Sequence, residues 1–451
     1  MTTRRTFLKE TAVIVSGTLL HAYSSFALAP KPAHVVVLGA GFAGLAAAYA
    51  LTKRKIKVTV LEAQPRIGGR VHSSKIPGEE LVVELGAEWV GDSHDRIKEL
   101  CKEFGLELQD NRFETHLLYK NEYAGKHAWK YSDEWDAKWK KLLEAYGKMN
   151  DADKRRLDSY DWWRYLVNNG CDGRDLEIRE LLDSTDFGES IRHVSAYAAM
   201  AEYAESSEKN EMDFKIKGGN SKLAEALATK IGKGNILLDH TVTSVDQRGT
   251  KVKVTCANGK TFTADKIICT LPTFAVSKVQ WLPALPADKQ HALRSLQYAR
   301  INKHPVLFND RFWPEDFDMV TDTPAHYFYH ATKNQPGSNG VLISYTIGDK
   351  AAVIANQDEA FHKATIKQAL QPAFGNIEEK MLQHFNYYWG NDKHTRGAYA
   401  LYKPGQWFTL MPVLKKPFLH THFAGEHLAD WQGFMEGAIN TGEEAAKRVV
   451  G

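Results

Sequence analysis

Hydrophobic and polar positions predict a compact β-strand, helix, β-strand unit close to the start of the chain. His34–Leu38 is a short apolar run of the kind that forms a central strand in a parallel sheet. Leu45–Leu51 is rich in small apolar residues, which favours a helix packed close against that sheet. Lys57–Leu61 predicts a second strand that ends at Glu62, so the whole unit spans about 30 residues.

The pattern changes character further along the chain. Residues 113–211 combine Trp, Tyr and charged residues at helical spacing, which predicts a helical region. Sheet character returns over residues 236–269, with a hairpin predicted at the Asn-Gly pair within residues 257–259. Residues 302–347 predict another sheet, and residues 434–450 a closing helix.

A glycine motif joins the first strand to its helix. In this context Gly39 permits a tight turn, Gly41 lets the backbone approach a pyrophosphate, and Gly44 lets the helix pack against the strand. The helix N-terminus would present free N–H groups to the phosphates. Glu62, at the end of the second strand, is placed to accept hydrogen bonds from ribose hydroxyls. These features predict dinucleotide binding.

The segments that follow favour FAD over NAD, because Ile67–Arg70 and Glu84–Gly91 resemble the flavin amine oxidase family. That family includes monoamine oxidases, polyamine oxidases and L-amino acid oxidases. The similarity covers nearly all of the chain after residue 33. It also includes Gly218–Leu223, Thr241–Val245, Ile268–Pro272, Phe423–Glu426 and Trp431–Gly437.

The resemblance implies a set of residues that hold the flavin. Arg70 would contact the phosphate side of FAD, and the backbone of Val242 would hold the adenine. Gly425, Glu426 and Met435 would lie along the pyrophosphate, ribitol and pyrimidine edge. The matching segments add Gly69, Gly86, Ala87, Glu88 and Trp89 to the predicted cofactor-binding residues.

Two positions depart from the family pattern. Ala398 stands where monoamine oxidases carry the cysteine that bonds the flavin covalently, so we expect non-covalent FAD. Gln64 replaces an arginine of the animal enzymes, which puts one phosphate contact in doubt.

Four residues are predicted to act at the reaction site. Lys303 lies in a segment similar to the one whose lysine holds a water against flavin N5; the alternative is a solvated strand residue. Tyr399 and Phe434 would flank the substrate nitrogen in an aromatic cage, and Trp389 would lie beside the flavin. The alternative for these three is an ordinary core position. Phe434 lacks the hydroxyl of the tyrosine often found there.

The substrate is less well defined. Trp89 stands near the position where venom-type L-amino acid oxidases place an arginine that binds the carboxylate, which favours a plain amine. Arg300 is an alternative source of that contact. Glu88 either attracts the second ammonium of a diamine or forms a surface ion pair.

Composition limits the other classes of function. A net charge of +3 is too small to indicate a nucleic-acid partner. Cys101, Cys171, Cys256 and Cys269 show no metal-binding spacing, so no metal is predicted. Cys256 and Cys269 could form a disulfide with each other or remain buried thiols, and buried thiols are favoured.

The first residues predict export. Arg4 and Arg5 precede an uncharged stretch that ends in small residues, as in a twin-arginine signal spanning residues 1–29. A membrane-anchoring helix is the alternative. We therefore expect a periplasmic or secreted protein, recognised by the twin-arginine export machinery.

Together these features predict an α/β fold in which an FAD-binding Rossmann-like domain is interwoven with a substrate domain of mixed sheet and helices. The FAD-binding domain is assigned residues 33–107, 218–292 and 394–451, and the substrate domain residues 108–217 and 293–393.

The predicted function is FAD-dependent oxidation of an amine to an imine, with electrons passed to oxygen. The alternatives are an L-amino acid oxidase, a relative that desaturates a carotenoid or porphyrin precursor, a dehydrogenase that uses a periplasmic cytochrome, and a flavin-binding protein without catalysis. A homodimer and a monomer both fit the sequence.

Overall fold

A computed structural model describes residues 32–207, 210–430 and 432–451. The predicted signal at residues 1–29 lies outside these residues. The strands are β1 His34–Leu38, β2 Lys57–Leu61, β3 Ser73–Lys75, β4 Val82–Glu84, β5 Leu108–Asp110, β6 Glu114–Tyr119, β7 Glu122–Ala124, β8 Phe214–Ile216, β9 Ile236–Leu237, β10 Val242–Asp246, β11 Val252–Cys256, β12 Thr261–Ala264, β13 Lys266–Cys269, β14 Gln280–Leu282, β15 Gln297–Tyr298, β16 Ile301–Phe308, β17 Phe317–Thr321, β18 Tyr327–His330, β19 Gly340–Ile347, β20 Met381–His384, β21 Tyr387–Tyr388, β22 Ala400–Leu401 and β23 Thr421–Phe423.

The α-helices are α1 Phe42–Lys53, α2 Asp95–Phe104, α3 Asp133–Tyr146, α4 Asp151–Asp158, α5 Trp162–Asn168, α6 Gly173–Phe187, α7 Ala196–Glu205, α8 Ser221–Ile231, α9 Thr273–Lys278, α10 Ala287–Ser295, α11 Gly348–Ala355, α12 Glu359–Phe374, α13 Trp407–Lys415 and α14 Met435–Val450. Short 3₁₀ turns occur at Ile191–His193, Lys233–Asn235, Glu378–Lys380, Trp389–Asn391 and Glu426–Leu428.

A five-stranded parallel sheet forms the first layer, in the order β23-β13-β1-β2-β9. The predicted strand, helix, strand unit is confirmed as β1, α1 and β2, because β1 pairs in parallel with β2 through Val37 and Val60. Helix α14 packs so closely against α1 that no side chain fits at Gly442. If that residue carried a Cβ atom, the atom would lie 2.1 Å from the carbonyl oxygen of Ala43. The predicted C-terminal helix therefore packs directly on the helix that follows the glycine motif.

A larger mixed sheet forms the second layer, in the order β20-β16-β19-β18-β17-β6-β7, with β21 also paired to β16. The prediction of helix throughout residues 113–211 is wrong at its start, because β6 and β7 lie there and β6 pairs in parallel with β17. Every residue of β16 is buried, which shows that both faces of the sheet are covered there, and β16 pairs with β19 and β20 at its edges. The α/β fold class is confirmed, whereas the domain boundaries stay a prediction.

The predicted hairpin and the state of two cysteines are also defined by the structure. The hairpin at residues 257–259 joins β11 and β12, and Gly259 occupies the left-handed region with φ 79°. Cys256 and Cys269 are buried free thiols, as favoured above. Within the described part of the chain, no helix has the length and apolar character needed to cross a membrane.

Candidate functional site

A cavity of about 610 Å³ is lined by residues of both layers. Every residue predicted to bind the cofactor or to act in catalysis lies on its wall, apart from Gly44. Residues separated by up to about four hundred positions in the chain therefore face one space. This volume is within the range of ligand pockets.

The glycine turn at the start of α1 forms one part of this wall. Gly39 has φ +100°, a backbone conformation that favours glycine. At Gly44 there is no room for a side chain between helix and strand, because a Cβ atom there would lie 1.9 Å from the carbonyl oxygen of Gly39. A Cβ on Gly41 would meet only the Cα of Gly69, at 3.9 Å, so Gly41 faces open space. Gly41 begins α1 without a side-chain cap, which leaves N–H groups available to an anion. These residues fit the phosphates of a dinucleotide.

Glu62 holds the turn from behind. Its carboxylate accepts hydrogen bonds from the backbone N–H of Ala40 at 2.6 Å and of Gln64 at 2.8 Å. Burial raises the pKa of Glu62 above its ordinary value. The carboxylate lines the cavity while it orders the backbone on either side, and its predicted contact with a ribose stays a prediction.

An ion pair between Arg70 and Glu426 joins distant segments on the wall. Arg70 Nη1 lies 2.5 Å from Glu426 Oε1. Glu426 also accepts hydrogen bonds from the N–H groups of Ala400 at 3.2 Å and Gly433 at 2.9 Å. Burial would raise the pKa of Glu426, but the charge of Arg70 and these hydrogen bonds hold it below its ordinary value. Glu426 therefore positions Arg70 and two neighbouring segments of the wall.

Glu88 does not form the surface ion pair considered above, because its side chain is buried. Its carboxylate contacts Lys215 at 2.8 Å, the hydroxyl of Tyr329 at 3.0 Å and Lys303 at 3.4 Å. The lysine charges lower the pKa of Glu88 against the effect of burial, which alone would raise it. Both oxygens are engaged, so the expectation that Glu88 attracts a substrate ammonium is also not supported.

Lys303 is not the solvated strand residue considered as an alternative, because it is only 3% exposed. Its ammonium donates hydrogen bonds to the carbonyl oxygens of Glu84 at 3.0 Å and Gly86 at 2.7 Å. Trp389 Nε1 donates to the carbonyl between them, that of Leu85, at 2.7 Å. Burial lowers the pKa of Lys303. Lys303 and Trp389 thus hold three successive carbonyls of one wall segment.

The two residues of the predicted aromatic cage line the same cavity. The hydroxyl of Tyr399 donates to the backbone carbonyl of Asp186, and a Cβ on Gly433 would lie 3.1 Å from the Tyr399 ring. Phe434 packs its ring edgewise against His94, with ring centroids 5.1 Å apart. Their role around a substrate nitrogen stays a prediction.

The sequence did not reveal an acidic part of the wall formed by Asp186, Glu202 and Glu211. Asp186 accepts a hydrogen bond from the hydroxyl of Tyr203 at 2.7 Å. Burial, together with the charge of Asp183, raises the pKa of Asp186 to about 7. No local pattern signals these residues, because they lie on helices and a loop whose placement depends on the fold.

Arginine is scarce around this cavity. Of the described residues, Arg70 is the arginine that lines it, and Arg70 is paired with Glu426. Arg300 pairs instead with Glu189 at 2.8 Å and Asp349 at 2.5 Å, and it is not part of the wall. Trp89 lines the cavity beside Tyr329.

Comparison with protein families and curated proteins gives consistent matches. The family model described as flavin containing amine oxidoreductase matches residues 42–450. An L-amino-acid oxidase of Echis ocellatus is 28% identical over 93% of this chain and 89% of its own length. L-amino acid oxidase Lm29 of Lachesis muta is 29% identical over 93% of this chain and 87% of its own length.

Solved structures share the fold at lower sequence identity. Wild-type putrescine oxidase bound to putrescine superposes with a TM-score of 0.82 at 22% identity, covering 92% of this chain and 98% of that one. Cyclohexylamine oxidase from Brevibacterium oxydans superposes with a TM-score of 0.83 at 21% identity, covering 93% of this chain and 99% of that one.

Replacing Gly41 by valine is expected to abolish cofactor retention without unfolding the protein. The open space at Gly41 tolerates a side chain in the polypeptide alone, but a valine would occupy the volume assigned to the pyrophosphate. Flavin absorbance per chain after gel filtration measures the effect. Gly234→Val is the matched control, because a Cβ there meets no atom within 4 Å. Full flavin content in Gly41→Val would show that the glycine turn has been misinterpreted.

Proposed function

The chain belongs to the flavin containing amine oxidoreductases and is an FAD-dependent amine oxidase; we propose that its substrate is a plain amine, preferably a diamine. The observation that carries this proposal is the acidic part of the cavity wall. Asp186 and Glu202 both lie near Tyr399, and their charges add to the burial and the Tyr345 contact that raise the pKa of Tyr399. Carboxylates beside the predicted aromatic cage favour a cationic substrate end.

The shortage of arginine supports the same substrate class. An amino acid brings a carboxylate, which arginine binds bidentately and which an acidic wall repels. Among the described residues, the wall offers that carboxylate no arginine besides the one held by Glu426. An L-amino acid oxidase is the second candidate, favoured by the names of the curated relatives.

The cofactor and the residues that line the cavity have separate roles in the proposed reaction. FAD, when bound, would accept two electrons from the C–N bond of the substrate. Tyr399 and Phe434 orient the neutral amine, and the buried wall excludes water. We assign to Lys303 a positive charge beside the cavity that would stabilise negative charge developing on oxygen. A water held by its ammonium would replace the longest of its three contacts, the one with Glu88 at 3.4 Å. Oxygen is the proposed acceptor, with hydrogen peroxide as product; a cytochrome is the alternative.

Anaerobic mixing with single substrates tests the substrate class. Putrescine, cyclohexylamine, an aromatic amine and L-amino acids are mixed separately with the oxidised holoenzyme, and bleaching of the flavin absorbance is followed. The amines, putrescine above all, are expected to bleach it. Bleaching by L-amino acids alone would overturn the proposal in favour of the second candidate, and bleaching by none would indicate flavin binding without catalysis. Repeating the assay with oxygen or with an oxidised cytochrome separates the two acceptors.

Export is proposed on the sequence of residues 1–29 alone. Replacing Arg4 and Arg5 by lysine is expected to leave the enzyme in the cytoplasmic fraction of an expressing cell. Unchanged distribution between cytoplasmic and periplasmic fractions would contradict a twin-arginine signal.

Acid denaturation is expected to release all of the flavin. Ala398 lines the cavity and carries no sulfur, and none of the four cysteines is among the described residues of the wall. The holoprotein is precipitated with acid and the yellow colour is measured in pellet and supernatant. A yellow pellet after washing would contradict non-covalent binding.

Asp186→Asn is expected to remove a pH dependence of diamine binding. Because the pKa of Asp186 is raised to about 7, its carboxylate is charged above that pH and neutral below it. In the wild type, KM for putrescine should therefore fall as the pH rises through 7. This fall should be larger than any change in KM for cyclohexylamine, which has no second ammonium to bind the carboxylate. The variant should lose this additional fall, which steady-state kinetics over a pH series would measure.

The matched control for this prediction is Glu177→Gln, an exposed carboxylate on the same helix, paired at the surface with Lys120. It should keep the wild-type pH profile. Identical profiles for wild type and Asp186→Asn would remove Asp186 from substrate binding.

Lys303→Met is expected to slow flavin reoxidation by oxygen about 100-fold, the size of effect typical for loss of one preorganised charge-stabilising group. FAD content and the anaerobic reduction rate should stay close to wild type, because Lys215 still compensates the buried charge of Glu88 at 2.8 Å. Stopped-flow measurements of the two half-reactions check this, with the exposed Lys230→Met as control. A lower melting temperature is also expected, because the carbonyls of Glu84 and Gly86 lose their donor. Reoxidation at the wild-type rate would contradict the proposed role.

A further inference from the structure

Three histidines meet on the side of β16 that faces away from the flavin cavity. His304 lies on β16, His384 ends the adjacent strand β20, and His362 lies on α12, which covers both. One nitrogen from each ring can be chosen so that all three lie within 4.8 Å of one another. Lys303 lines the cavity, whereas its neighbour His304 joins this cluster, because successive side chains of a strand point to opposite faces.

The spacing of the nitrogens suits a metal ion. Nitrogens bound to zinc at 2.0–2.1 Å are about 3.3 Å apart in a tetrahedral site. His304 Nε2 and His384 Nδ1 are already 3.0 Å apart. Without an ion these two nitrogens are at hydrogen-bond distance, and the third nitrogen lies within 4.8 Å of them, so rotation of the rings would place all three around one ion.

A second feature typical of metal-binding histidines is present at His362. Its Nε2 lies 2.8 Å from the backbone carbonyl oxygen of Ile354. When Nε2–H donates to that carbonyl, Nδ1 keeps its lone pair, which is how backbone carbonyls orient histidine ligands. The amide nitrogen of Asn386 lies 3.2 Å from Nδ1 and 2.9 Å from Nε2, and in this tautomer it can donate only to Nδ1, so an ion bound at Nδ1 displaces that contact. The ring of His362 is thus held by neighbours outside the cluster.

His384 carries a buried nitrogen that lacks a partner. Its Nε2 has no hydrogen bond to any described residue, although it is removed from solvent. It is not the nitrogen that faces His304, because that atom is Nδ1, 3.0 Å from His304 Nε2, and one imidazole offers a given ion only one of its nitrogens. Nδ1 is therefore the ligand atom assigned to His384.

The cluster opens to the surface through a separate cavity of about 490 Å³, lined by residues that include His362, His384, Glu359 and Lys363. Glu359 and Lys363 pair with each other at 2.7 Å, so the positive charge at the mouth is balanced. The opening gives an ion a route of entry and leaves space for water in a fourth position.

We propose that His304, His362 and His384 form a binding site for a divalent transition-metal ion of the zinc class. Three imidazoles without a thiolate select zinc, nickel or copper over magnesium or calcium, which prefer oxygen ligands. The ion ties α12 to β16 and β20 and stabilises the sheet directly behind Lys303. The site does not depend on the proposed substrate, because it lies outside the flavin cavity.

Zinc titration of the full-length holoenzyme without an affinity tag tests this proposal. The protein is treated with EDTA, dialysed and titrated with ZnCl₂ in a calorimeter, and bound zinc is counted by elemental analysis. One zinc per chain and a higher melting temperature with zinc are expected, because a ligand that binds the native state stabilises it. A wild-type chain that retains no zinc overturns the proposal.

Variants identify the ligands. His384→Gln and His362→Gln should each weaken zinc binding more than about 100-fold, beyond the loss typical for an outer hydrogen-bond partner. His291→Gln, at an exposed histidine on α10, should bind as the wild type does. Zinc binding that survives both ligand variants overturns the assignment.

A spectroscopic measurement on the wild type covers the case in which a variant fails to fold. Electron paramagnetic resonance of the protein loaded with one equivalent of Cu²⁺ should show hyperfine coupling to three imidazole nitrogens. Coupling to fewer nitrogens overturns the three-histidine site. Flavin absorbance, recorded on every sample, verifies that the cofactor cavity is intact.

Discussion

A buried carboxylate shared between two lysines is the interaction on which the cavity depends. Glu88 contacts Lys215 on β8 and Lys303 on β16, which lie 127 and 215 residues away in the chain. Breaking such a buried pair by removing one partner costs about 3–5 kcal/mol, because a charge is left without compensation. The network therefore holds the wall segment of residues 84–89 against the large sheet and positions Lys303 at the cavity.

The electrostatic character of the cavity follows from what surrounds it. The start of α1 presents backbone N–H groups that favour anions, and the Arg70 guanidinium lies on the same wall. Asp186, Glu202 and Glu211 give another part of the wall the opposite character. One continuous space thus presents anion-binding backbone at one part of its wall and carboxylates at another, which is the arrangement that FAD and the proposed diamine substrate require. Chemistry between them needs no metal cluster or nucleophile triad, since the flavin accepts the electrons.

The strand β16 links this cavity to the opposite face of the sheet. Because its side chains alternate, Lys303 faces the flavin cavity and His304 faces α12. Every residue of β16 is buried, so close packing on the two faces of the sheet holds both side chains. The precision with which Lys303 is held depends on packing behind it as well as on the carbonyls in front of it.

Part of the fold and the glycine turn of the cavity wall were determined by the sequence itself, because their signals are local. The β1, α1 and β2 unit is encoded in a run of apolar residues and three glycines, and the Asn-Gly hairpin in two adjacent residues. Tertiary structure alone decided the burial of Glu88, the acidic wall at Asp186 and the meeting of the three histidines. Their partners come from strands and helices far apart in the chain, and the order and register of those elements are set by packing of the whole sheet, which no local hydrophobic period specifies.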